Sequence, residues 1–100
     1  MGQADDGLGR ATILYLGFGH ASWPQRDEAG LVREFGARAP VLMETVRRLR
    51  EEIGRIAVDW STQTLASATD IARSEMKRRH PELSEAALDA LAWEFSYNWK

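Results

Sequence analysis

No cysteine occurs anywhere in this chain. Disulfides, zinc–thiolate sites and thiol nucleophiles are thereby excluded, and nothing points to an oxidising compartment. Long apolar runs are missing too: none approaches the ~20 residues that a bilayer-spanning helix needs, so no membrane is expected. Residues 1–9, acidic and glycine-bearing, are the opposite of a signal-peptide start, and a cytoplasmic location is the expectation. An excess of one charge sign is also lacking. Thirteen Lys and Arg face fifteen Asp and Glu, for a formal charge of −2, which gives no global attraction to nucleic acid or anionic membrane. Lysine is scarce, with two against eleven arginines. With the abundance of alanine this is a bias usual in bacteria of high GC content, and a small bacterial protein is expected. Proline is confined to positions 24, 40 and 81: Pro24 keeps Trp23 extended in a loop, Pro40 suits the first turn of a helix and Pro81 ends one.

Histidine is limited to His20 and His80. No HExxH motif or comparable ligand spacing exists, so neither a metal nor a cofactor is expected. His20 with Ser22 or Asp27 would need hydrogen-bond reach to do acid–base work. No sequence pattern brings them together, and a non-enzymatic protein is expected. Gly17-Phe18-Gly19-His20-Ala21-Ser22 bears glycines but lacks the strand, glycine-rich loop and lysine of a P-loop. Gly17, Gly19 and His20 are the only candidates for a ligand loop, through backbone N–H groups turned toward an anion.

What the chain does have is a strongly marked terminal segment. Pro81 stops the preceding helix and Ser84 is a good N-cap. Leu83 and Leu88 stand at the two positions of a hydrophobic staple. Leu88, Leu91, Ala92, Phe95 and Trp99 then recur at helical spacing, with Trp93 and Tyr97 as a second stripe. A helix apolar over so much of its circumference is either central to the core or shared with a partner.

The rest of the chain reads as follows. Residues 1–10 form a flexible N-terminus and 11–100 a single helical domain. Ala11–Phe18 fits helix and strand periodicities about equally. Its length of eight and its flanking glycines favour an extended segment or short strand, although nothing nearby makes a hairpin with it. Asp27 caps a short helix ending near Gly36, with Leu31, Val32 and Phe35 buried. Pro40 opens the next helix, whose face is Leu42, Val46, Leu49 and Ile53, with Glu44 placed to pair with Arg48. Asp59 or Ser61 caps a further helix carrying Leu65, Ala68, Ile71, Ala72 and Met76. That helix closes on Arg73, Lys77, Arg78, Arg79 and His80, cations that suit a helix C-terminus. The fold class is mainly α, a small bundle of three to four helices. Its core should be Leu31, Phe35, Leu42, Val46, Leu49, Ile53, Leu65, Ile71, Leu88, Leu91 and Phe95.

The basic run is the one cluster able to grip phosphate, but Asp70, Glu75 and Glu82 are interspersed with it. The helix after Pro81 carries Glu85, Asp89 and Glu94, which the major groove would repel. Nucleic acid is therefore disfavoured as a partner. Four tryptophans in one hundred residues are many, and Trp is enriched at interface hot spots. The expected working surface is Trp23, Trp93, Tyr97 and Trp99. The expected function is protein–protein interaction, as a homodimer, adaptor or accessory subunit. The alternative is a small-molecule or nucleotide binder using the Gly17–Trp23 loop and an aromatic pocket.

Overall fold

The computed structural model describes residues 7–19 and 21–98. Five α-helices follow one another: α1 (Leu8–Leu16), α2 (Glu28–Phe35), α3 (Ala39–Gly54), α4 (Leu65–Arg79) and α5 (Glu85–Asn98), with a 3-10 turn at Gly36–Arg38 before α3. Helix packs on helix throughout, and no strand occurs among the described residues.

Helix α5 is the centre. Ala87, Leu88, Ala90, Leu91, Ala92, Glu94 and Phe95 are all buried, and the helix packs against α1, α3 and α4. Its start is the expected one: the Ser84 hydroxyl accepts from the Ala87 N–H at 3.1 Å, and Leu83 and Leu88 are both buried. Alanines at 87, 90 and 92 keep the surface low, so three neighbours approach one helix at once.

The stretch 11–18 is helical where an extended segment was expected, and α1 begins at Leu8, inside the stretch assigned to a flexible terminus. The physical reason lies in the backbone. A lone strand has no partner for its N–H and C=O groups, whereas a helix satisfies its own. The flanking glycines serve the helix instead of ending a strand. Gly7 and Gly17 lie at the two ends with φ of 87° and 78°, and the Gly17 N–H donates to the Ile13 carbonyl. Ala11, Thr12, Tyr15 and Leu16 form the buried stripe.

Eight of the eleven expected core residues are buried: Leu31, Leu42, Val46, Leu49, Ile53, Leu88, Leu91 and Phe95. Phe35 and Leu65 are only partly covered. Phe35 ends α2 beneath the Arg38 guanidinium, 5.8 Å from its ring centre, and Leu65 is the first residue of α4. Ile71 is a clear departure, 40% exposed. The face that α4 turns inward is Ala68, Ala72 and Met76, and Ile71 stands beside that stripe. Small side chains bring α4 close to α5, and the larger isoleucine is left outside.

The start of α4 also differs from expectation. Asp59 does not cap the helix but closes a local turn, accepting from the Ser61 N–H at 3.1 Å and the Ser61 hydroxyl at 2.6 Å. Thr64 is the cap, in a reciprocal box with Ser67 at 3.1 and 3.0 Å. No described helix is long and apolar enough to cross a membrane.

Candidate functional site

The loop between α1 and α2 folds back onto the end of α1. The Gln25 N–H donates to the Leu16 carbonyl and the Asp27 N–H to the Tyr15 carbonyl, each at 2.8 Å. These satisfy carbonyls that a helix end would otherwise leave open. The Asp27 carboxylate in turn caps α2, accepting from the Gly30 N–H at 2.9 Å. Halfway along the loop the Tyr97 hydroxyl, from the last turn of α5, donates to the Ser22 carbonyl at 2.6 Å. Trp23 follows immediately and is 62% exposed. A large apolar side chain thus projects from a loop tied at both its base and its middle.

Beside this loop lies an aromatic cluster. The Trp93 ring sits 5.4 Å from that of Phe18 and 5.7 Å, edge-on, from that of Tyr97. Edge-on rings at such spacing attract beyond their buried area. Trp93 is partly buried and packed against the core. Of the expected surface, Trp93 and Tyr97 therefore come together, and Tyr97 is tied to the residue before Trp23. Trp99 lies outside the described residues, as does His20. The partly exposed Trp60, 39% accessible, belongs to the α3–α4 connector.

Gly17 and its neighbours in the proposed ligand loop have other occupations. The N–H groups of Gly17 and Phe18 donate to the Ile13 carbonyl, and that of Ala21 to the Gly17 carbonyl. These amides point into the chain's own carbonyls. Gly19, at φ 86°, has open space around it. Clefts lie elsewhere. One of about 630 Å³ runs along α4, one of about 260 Å³ is bounded by Arg26, Arg50 and Glu94, and neither is lined by Trp23, Trp93 or Tyr97.

The basic run at the end of α4 is matched by acids. Arg73 donates to Asp89 at 2.9 Å and to Glu85 at 2.8 Å, and Lys77 reaches Glu85 at 2.8 Å. Arg78 and Arg79 both hold Glu75, and Arg79 also reaches Glu52 at 3.1 Å. The His80 ring meets Glu52 at 2.7 Å. The Arg78 and Arg79 guanidiniums hold the Glu75 carboxyl at about 2, and Lys77 and Arg73 do the same to Glu85. A phosphate approaching this run would have to compete with carboxylates already seated on it. The α4–α5 pairs join residues 8 to 16 apart across a turn, a pattern that no local spacing rule reveals.

One ion pair is withdrawn from water. Glu94 on α5, 4% exposed, accepts from Arg50 on α3, 17% exposed. The Arg50 guanidinium also lies 5.8 Å from the centre of the Tyr15 ring on α1. Glu94 read as part of a polar, repelling helix face in the sequence. It is instead an interior residue that joins three helices. Among the described residues no group of three or more His, Asp or Glu is placed to hold a metal ion.

Comparisons with protein-family models, with curated proteins and with solved structures return no match to this chain.

Proposed function

We propose that this protein is a non-enzymatic interaction module that docks a protein partner through the corner formed by Trp23, Trp93 and Tyr97. The observation that carries this reading is Trp23, a 62% exposed tryptophan on a loop fastened by the Tyr97–Ser22 hydrogen bond. An exposed indole alone is unremarkable, since much of any protein surface is apolar. Pre-organisation is what distinguishes this one. A side chain presented from a tethered backbone loses little freedom on binding, and that loss is a main cost of association. Trp93 and Phe18 supply the packed aromatic floor beside it, and such aromatic anchors dominate interface energies. Adaptor and accessory-subunit roles both suit a surface of this kind.

The test is affinity capture with the full chain against the same chain carrying Trp23→Ala, both checked by thermal melting. Surface truncations away from caps and cores change stability by about 0.5 kcal/mol or less, so the melt should not move. A partner retained by the wild type and lost from the variant supports the proposal. Retention of the same partners by both chains sinks it.

A further inference from the structure

Among the described residues the outer face of α4 is unpartnered, and its chemistry repeats under a two-fold rotation. The cleft of about 630 Å³ on this face is bounded by Ile56 and Ala57 of the connector and by Asp70, Ile71, Ser74 and Arg78 of the helix. Ile71 is 40% exposed there. The Asp70 carboxylate accepts no hydrogen bond and makes no ion pair among the described residues. Arg78 engages Glu75 through Nε, at 3.0 Å, and through Nη2. Its Nη1 has no partner among the described residues, and a guanidinium carries five donors in all.

We infer that this face of α4 is a self-association surface, taking the α4 of a second copy of this chain in antiparallel orientation about an axis through Ser74. Asp70 and Arg78 are eight residues apart, about 12 Å along the helix, with Ser74 midway. A two-fold axis through Ser74 therefore sets Asp70 of each copy against Arg78 of the other, twice. Each contact pairs the unengaged carboxylate with the unengaged Nη1. Ile71 of the second copy then falls between Ser74 and Arg78, both of which line the cleft. Ser74 is small, which lets two helices meet at the short end of the usual 8–10 Å separation. An unrelated helix would need this charge order by coincidence, whereas a second copy carries it. Interfaces of this isologous kind are the commonest in soluble oligomers. The surface is separate from the Trp23 corner, so the two proposals fail independently.

The test is analytical ultracentrifugation of the full chain from micromolar to millimolar protomer. The wild type should dimerise. Asp70→Arg, which sets like charges in contact at two symmetric places, should weaken the dimer by about tenfold or more. The exchange Asp70→Arg with Arg78→Asp should restore it, and Trp23→Ala should leave it unchanged. A second measurement uses the absence of native cysteine. Helices about 8–10 Å apart bring facing Cα atoms within disulfide reach, so Ser74→Cys should form a crosslinked dimer on mild oxidation. Ala86→Cys, exposed on α5, should not. A wild type monomeric throughout overturns the inference. So does a dimer indifferent to Asp70→Arg, or a folded double exchange that stays monomeric. Should the double exchange not fold, the Ser74→Cys crosslink decides alone.

Discussion

Glu94 accepts from Arg50 where α3 packs on α5, with the Glu94 side chain 4% and the Arg50 side chain 17% exposed. The hydrogen bond that Arg50 donates to Glu94 raises the guanidinium's pKa above its ordinary value, against the opposing effect of burial. Removing one member of such a pair strands the other. Glu94→Ala is expected to lower the unfolding free energy by about 3 kcal/mol, whereas the paired change Arg50→Met with Glu94→Leu should recover most of that loss. Urea denaturation of the three variants checks this. A Glu94→Ala chain as stable as wild type would show that the pair contributes nothing.

Acid should weaken the last turn of α4, through Glu75, and the α4–α5 contact, through Glu85, over a defined window. Glu75 and Glu85 have folded-state values of about 2, below the ordinary 4.5. A carboxylate held lower when folded stabilises the fold above its unfolded value and ceases to do so as pH falls through the folded one. The melting temperature is therefore expected to decline from about pH 5 to about pH 2. Glu85→Gln should flatten that decline, and salt should reduce it, because these groups face water. A melting profile with the same acid slope in Glu85→Gln and wild type would remove Glu85 from the account.

Gly30→Ala is a substitution that helix propensity alone would favour. Here a Cβ would stand 2.7 Å from the Asp27 carboxyl carbon, displacing the side chain that caps α2. A lost cap costs about 1 kcal/mol. Chemical denaturation should show destabilisation. A stabilised variant would mean that Asp27 moves aside without loss.

Tyr97→Phe removes the hydroxyl that holds the Ser22 carbonyl. The global cost should be about 1 kcal/mol or less. Locally, amide hydrogen exchange over residues 21–25 should quicken while that of α3 is unchanged. Equal exchange in both chains would show that the loop is held by its backbone bonds alone.

The helices after residue 27 were legible because their signals are local. Ser84 caps α5, Glu44 reaches Arg48 at 3.2 Å, and Leu42, Val46, Leu49 and Ile53 make one face. The start of α4 was misread over a local choice, Thr64 and Ser67 forming the cap in place of Asp59 or Ser61; the other misreadings each depended on something distant. An eight-residue apolar run fits two periodicities, and the absence of a pairing strand among the described residues decides which one wins. Ile71 matched the spacing of a core position, but the alanines at 68 and 72 decide which side of α4 meets α5. Glu94 looked solvent-facing because its partner lies 44 residues earlier in the chain. At the candidate site, the abundance of tryptophan pointed to an interface. The tether from Tyr97 to Ser22, spanning 75 residues, had no sequence signal.

The position of α5 in the chain has a consequence for synthesis. It is translated after the three helices, α1, α3 and α4, that it packs against. At about 5–20 residues per second, those helices wait several seconds for their cover. A nascent chain halted before Glu85 lacks the element that α1, α3 and α4 all pack against, and apolar surface left exposed in this way is prone to aggregate. A stop at that point therefore takes away the shared packing partner of three helices at once.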